Sequence, residues 1–298
     1  MSNFLLILSC LGLGAVLRAA ALFPREAHVS LNAFIIYISL PALTLRVVPA
    51  LEIHPVMLFP FITGLLIFVL ASLFFKLMAK WLALDRATEG CLVLVCGLGN
   101  TSFVGFPVVE ALYGVEGLQV AILVDQGTFL TLAVGGVLVA LRYSGEEVKV
   151  GLMLRKVLYF PPFLAFGLAL LCMPWGLPDV LKPVLDKLAA TLTPLALVSV
   201  GLQLRFDLSA FRARDFGLGL GYKLVMAPAF IGALAWLWLD TQSLLFRVTV
   251  LEAAMAPMVT ASILASQSRL NPPLATLLVG LGIPLSGLSL AGWVWCLG

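Results

Sequence analysis

Ten apolar runs follow one another along this chain, each near the roughly 20 residues a helix needs to cross the hydrocarbon core of a bilayer. They occupy residues 3–23, 29–48, 55–79, 87–112, 117–141, 156–174, 179–204, 216–239, 244–268 and 273–296. In lipid, a helix satisfies all of its own backbone polar groups. Runs of this length therefore predict an all-α polytopic membrane protein with ten transmembrane helices. Of the 298 residues, 62% are apolar and 11% are charged, whereas soluble domains carry about 25% charged residues. So few ionised side chains cannot wet the surface of a soluble domain of this size. A soluble enzyme, a nucleic-acid binder and a disordered chain are excluded.

The charges are unevenly placed. Loops after the odd-numbered runs, with their flanking turns, hold 13 of the 18 Lys and Arg, and loops after the even-numbered runs hold 4. Lys223, inside the eighth run, completes the set. The positive-inside rule then puts the odd-numbered loops in the cytoplasm and both termini outside, in what we expect to be a bacterial inner membrane. No Lys or Arg precedes the first run, which is longer than the apolar core of a signal peptide; it is expected to be retained. The five cysteines lie in apolar runs without metal or redox spacing, and the two histidines are isolated. No cofactor is expected beyond a coupling proton or sodium ion.

Ten spans divide into two sets of five, and an odd number per half turns the second half upside down. The expected organisation is a first repeat over 1–141, a short cytoplasmic linker over 142–155 and an inverted repeat over 156–298. Prolines support the division: Pro41 and Pro194 lie 153 residues apart, Pro107 and Pro257 150 apart. Pro41 and Pro194 are either packing kinks or breaks, and both readings stay open. Around Pro107 and Pro257 the setting is more telling, because small and polar residues crowd both sites. The fourth run reads Gly97-Leu98-Gly99-Asn100-Thr101-Ser102-Phe103-Val104-Gly105-Phe106-Pro107, the ninth Glu252-Ala253-Ala254-Met255-Ala256-Pro257-Met258-Val259-Thr260. Interrupted helices at matching positions of inverted halves point to a transporter binding site, with N–H groups at one kind of helix end and carbonyls at the other.

The residues at these breaks are the candidates for holding a solute: Asn100, Thr101, Ser102, Met255, Ala256 and Thr260. Asn100 leads, since its amide can donate to a carboxylate or accept from a cation's shell. Deep in their runs, Glu252 and Asp125 are candidate carriers of a coupling proton or cation, with Gln126 and Thr128 beside the latter. A structural acid and helix–helix hydrogen bonding are the competing roles. Lys223 is either a charge partner for an acid or solute, or a long side chain snorkelling to the interface.

The run Gly99 to Pro107, followed by Ala111-Leu112-Tyr113-Gly114, resembles the fourth-span signature of the auxin efflux carrier family. Three further stretches agree: Tyr37-Ile38-Ser39-Leu40-Pro41-Ala42, Pro194-Leu195-Ala196-Leu197-Val198-Ser199-Val200-Gly201-Leu202, and Glu252-Ala253-Ala254-Met255-Ala256-Pro257. The resemblance implies an inverted repeat similar to sodium–bile acid symporters and sodium–proton antiporters. It implies a scaffold of spans 1, 2, 6 and 7 that forms a homodimer through spans 2 and 7. Spans 3–5 and 8–10 would form an elevator-type transport domain, with spans 4 and 9 crossing at the solute. Bacterial members are regarded as permeases for small carboxylates such as malonate or malate. A secondary transporter of a small mono- or dicarboxylate is the expectation. The alternative is a sodium- or proton-coupled symporter or antiporter for a bile-acid-like anion or an inorganic cation. Asp125 has no second carboxylate beside it in sequence, which departs from the antiporter pattern. An intramembrane enzyme would need paired carboxylates, an activated serine or metal ligands, and no such set is visible.

Overall fold

The computed structural model describes residues 2–24, 26–51, 54–144, 159–204 and 212–298. Most of the expected linker (145–155) and the start of the sixth run (156–158) lie outside them. Eleven helical runs are found among the described residues, and no strand. They are α1 (Ser2–Ala19), α2 (Ala27–Ala50), α3 (Pro55–Leu82), α4 (Arg86–Cys96), α5 (Thr101–Ser144), α6 (Pro161–Cys172), α7 (Lys182–Gln203), α8 (Ala213–Trp236), α9 (Leu244–Ala253), α10 (Val259–Gln267) and α11 (Pro272–Leu297).

Six of these, α2, α3, α5, α7, α8 and α11, are long and apolar enough to cross a membrane. The difference from ten runs has local causes. The fourth run is interrupted after Cys96 and the ninth after Ala253, so neither forms one long helix. α5 spans 44 residues only because it includes Gly114, whose backbone (φ 64°, ψ −157°) is not helical. That conformation is essentially reserved to glycine.

The prolines correct the sequence expectation. Pro41 and Pro107 do not break their helices. Each lies two residues beyond a π-helical turn, Ile35–Ser39 and Thr101–Gly105, and Pro228 follows Tyr222–Met226 in the same way. A proline lacks an N–H and its ring clashes with the carbonyl four residues back. Tyr37, Phe103 and Leu224 carry those carbonyls, and all three fall inside the widened turns. The Leu224 carbonyl is taken up by the Trp293 indole N–H at 2.9 Å. Pro194 is handled differently, as the third residue of the helical segment Leu192–Gln203, where N–H groups have no intrahelical partner to lose. Pro257 alone of the four sits in non-helical chain.

The chain packs as two compact units: 1–54, 102–122 and 155–204 form one, and 55–101, 123–154 and 205–298 form the other. In the first, α1 lies on α7 where Gly14 meets Gly201. A Cβ on either would come 2.9 Å from the other's Cα, the small-residue contact that lets membrane helices approach closely. Arg18 donates to the Leu202 and Leu204 carbonyls at the end of α7, where a helix favours a cation. Ser39 of α2 hydrogen-bonds Thr191 of α7 at 2.7 Å.

In the second unit, α4 is buried continuously from Gly90 to Cys96. Its N-terminus is capped by Asp85, which accepts from the Thr88 N–H at 2.9 Å and hydroxyl at 2.8 Å. Asn271 caps α11 and its amide donates to the Thr88 hydroxyl at 2.8 Å, so one hydroxyl ties two helix starts together. Tyr222 of α8 donates to the Ile67 carbonyl of α3 at 2.6 Å.

Two stability predictions arise here. Gly114→Ala should cost about 1–3 kcal/mol through backbone strain alone, since open space surrounds that position. Gly12→Ala, helical and equally open, should be neutral or slightly stabilising; melting in detergent compares the two. Asp85→Ala should cost about 0.5–2 kcal/mol. Partial burial pushes the Asp85 carboxyl up, but the bonds from Thr88 outweigh it and hold it below its ordinary value of 3.8. The cap's contribution is therefore present above that value and lost as pH falls through the folded-state pKa. Wild type and variant should converge in acid.

Candidate transport site

Both interruptions lie in the second unit, and they pair with each other. Gly97 to Asn100 leaves the helix between α4 and α5, and Ala254 to Met258 does so between α9 and α10. Two glycines and an asparagine within four residues, Gly-Leu-Gly-Asn, explain the first. Pro257 enforces the second. The two segments run antiparallel with Gly99 opposite Pro257. The Asn100 N–H donates to the Ala256 carbonyl at 2.8 Å, and the Met258 N–H to the Leu98 carbonyl at 3.2 Å. Each break thus supplies the partners that the other lost.

Around this bridge lie buried polar groups. Asn100, Thr101, Asp125, Gln126, Glu252 and Lys223 are each at most 3% exposed. Thr101 donates its hydroxyl to the Asp125 carboxylate at 2.5 Å. Lys223 projects from the π-helical turn of α8 and donates to the Ala253 carbonyl at 2.6 Å. It thereby sits at the C-terminal end of α9, the negative pole of that helix. A Cβ on Gly99 would fall 3.3 Å from the Lys223 Nζ, so the absence of a side chain there lets the ammonium reach the first break. Glu252 is within electrostatic reach of both Lys223 and Asp125. Among the described residues, both Glu252 oxygens, the Asn100 Nδ2 and the Gln126 Oε1 have no hydrogen-bond partner. Buried groups of this kind are normally paired, so the crossing offers one donor and three acceptor atoms to an incoming species.

The remaining sequence candidates divide. Met255 and Ala256 are fully buried in the second break, where Ala256 supplies the bridging carbonyl. Ser102 is buried one residue beyond Thr101. Thr260 is exposed on α10. Thr128 donates to its own helix at Val124, 2.8 Å, and packs so tightly on α3 that a Cβ on Gly64 would come 2.7 Å from its Cα; its place is in helix packing. Lys223 does not snorkel: it is 0% exposed.

A family model described as a membrane transport protein matches residues 3–294. The chain belongs to this family, that of the auxin efflux carriers. Relatives extend over nearly the whole length. An uncharacterized transporter of Methanothermobacter thermautotrophicus is 30% identical over 288 residues, covering 94% of this chain and 93% of that protein. An uncharacterized transporter of Methanocaldococcus jannaschii is 26% identical over 289 residues, covering 92% and 91%. This is an integral membrane transporter and not an enzyme.

For this transporter, the sequence pattern understates two features. A carboxylate within electrostatic reach of Asp125 comes from another helix, as Glu252. The first break lies at Gly97–Asn100 and not at Pro107, and the Gly-Leu-Gly-Asn run is its visible signal.

Removing the ammonium should be felt. Lys223→Met leaves the Ala253 carbonyl bare and Glu252 without its cation, for a loss on the order of 1.5–3 kcal/mol. Adding Glu252→Gln should recover part of it, because the two sites are coupled. Melting of the single and double variants measures this, and simple additivity would dissolve the proposed coupling.

Proposed function

We propose that this transporter is a secondary carrier of a small organic anion, a mono- or dicarboxylate of the auxin, malonate or malate kind, working by alternating access of the elevator type. The observation that carries the reading is the buried crossing itself. A cation held at a helix C-terminus and an unpartnered amide donor stand together where two interrupted helices meet. Lys223 and the Asn100 amide suit a carboxylate, and the first N–H groups of α5, just after Asn100, add a partial positive charge. Glu252 and Asp125 are the coupling groups in this reading, with Gln126 beside them.

In this reading the ten apolar runs are ten spans in two inverted repeats, with both termini outside a bacterial inner membrane. The antiparallel pairing of the two breaks supports it, as inverted halves bring matching segments together head to tail. The scaffold is built from α1, α2, α6 and α7, which dimerises through α2 and α7. The transport domain is built from the spans that carry the crossing. Support comes from the division of the chain, where all four of those helices fall in one unit. Residues 102–122 join them there, which departs from a plain assignment of spans 3–5 to the transport domain.

One observation favours the alternative of a sodium- or proton-coupled carrier for a bile-acid-like anion or an inorganic cation. Asp125 and Glu252, two buried acids from different helices, lie within electrostatic reach of each other, which would suit a site that binds a cation.

The test is counterflow of labelled malonate, malate and indole-acetate in proteoliposomes, with pH and sodium gradients imposed separately. Wild type should exchange at least one of the three, and Asn100→Ala should slow it tenfold or more. Glu252→Gln should remove the response to whichever gradient drives wild type. Full exchange by Asn100→Ala would misplace the site. Gradient-driven cation flux without any carboxylate exchange would select the alternative.

A further inference from the structure

Along α3 and the second half of α5, three adjoining clefts in the second unit run into one another. The first, about 530 Å³, is walled by Phe61, Leu65, Leu73, Leu130 and Leu138. The second shares Phe68, Ser72, Leu73, Gly135 and Leu138 with it and continues to Lys76 and Arg142. The third opens among Lys76, Lys80, Arg86 and Arg142. The whole forms an apolar groove with a basic mouth. From Phe61 to Lys76 it follows 15 residues of α3, about 22 Å at 1.5 Å per residue. That exceeds the roughly 15 Å depth of one leaflet's share of a ~30 Å hydrocarbon core.

All four cations at the mouth are exposed, and none is ion-paired with an acid among the described residues. The acid in the cluster is Glu89, which accepts from the Tyr143 hydroxyl at 2.6 Å. Tyr143 is itself wedged on α4, where a Cβ on Gly90 would fall 2.7 Å from its Cβ. Arg86 donates to the Arg142 backbone carbonyl, which draws two of the cations together. Among the described residues that line the mouth, four positive charges against one negative leave a strong excess at the end of an apolar groove.

We propose that this groove is a binding site for an anionic diacyl phospholipid, such as phosphatidylglycerol, from the cytoplasmic leaflet. Its phosphate lies among Lys76, Lys80, Arg86 and Arg142, and one acyl chain lies along Leu73 and Leu138 toward Phe61. Charge complementarity selects the headgroup, since juxtamembrane cations attract anionic lipids and basic pockets between membrane helices hold their headgroups. Continuity with an apolar cleft at membrane depth selects a lipid over a free phosphate. The positive-inside rule selects the leaflet. The basic mouth shares no residue with the crossing, and the proposal does not depend on what solute is carried.

Native mass spectrometry of the purified protein tests this, using phosphatidylglycerol and phosphatidylcholine with identical chains. Wild type should retain phosphatidylglycerol at least tenfold better. Lys76→Gln/Lys80→Gln/Arg142→Gln should bring the two lipids to parity; the Arg142 backbone carbonyl that Arg86 uses survives in it. Leu138→Trp fills the groove with every charge intact and should lower phosphatidylglycerol retention severalfold, which keeps the test open if the triple variant fails to fold. Excess inorganic phosphate should not displace the lipid. Equal retention of both lipids by wild type, or no effect of either variant, would overturn the proposal. Displacement by inorganic phosphate would assign the cluster to the free anion and overturn it too.

Discussion

A helix interrupted inside a membrane exposes peptide groups that no water is present to satisfy, and each left bare costs several kcal/mol. The candidate site of this transporter is organised by that constraint. Neither break is tolerable alone, because Gly97 to Asn100 and Ala254 to Met258 both leave the helical hydrogen-bond ladder. Paired across Gly99 and Pro257, they exchange two backbone hydrogen bonds. The geometry of one break therefore depends on the other, and residues distant in sequence are held in a fixed relation. Lys223 extends the same logic to a side chain. Its ammonium takes the Ala253 carbonyl at the end of α9, satisfying a backbone acceptor and supplying a buried positive charge in one contact.

The prolines show the constraint met in a second way. At Pro41, Pro107 and Pro228 the chain stays helical and the preceding turn widens around the carbonyl that the ring would crowd, whereas Pro284 lies inside α11 with no such turn. At Pro228 that carbonyl, of Leu224, accepts from Trp293. The widened turn Tyr222–Met226 also carries Lys223. Accommodation of Pro228 and presentation of the buried cation are thus features of the same turn, consistent with the frequent placement of π-bulges at functional sites.

Much of this was legible in the sequence. The membrane class followed from hydropathy, because long apolar runs with so little charge suit few environments besides lipid. Asn100, Thr101, Glu252 and Asp125 stood out as polar residues in apolar runs, and all four lie in the buried cluster. Spacing could not reveal which proline breaks a helix. Pro107 and Pro257 look equivalent in sequence, yet a π-helical turn absorbs one and the other lies in non-helical chain. Nor could it reveal that Glu252, 127 residues away, comes within electrostatic reach of Asp125, because proximity between helices leaves no trace in local pattern. Lys223 was ambiguous for a related reason: burial and snorkelling differ by the direction of one flexible side chain, which tertiary packing decides.

The charge content of the cluster bears on coupling. Asp125, Glu252 and Lys223 sum to one negative charge when all are ionised. A carboxylate entering that space would raise the total to two in a region shielded from water. At an effective dielectric constant near 20, two like charges 4 Å apart repel by about 4 kcal/mol, enough to lower affinity several hundredfold. Under the proposed carboxylate reading a proton or a cation would enter with the solute, and the Glu252 oxygens, without a hydrogen-bond partner among the described residues, would receive it. In such a site the coupling ion is a consequence of electrostatics, because without it the anion meets a cluster of its own sign.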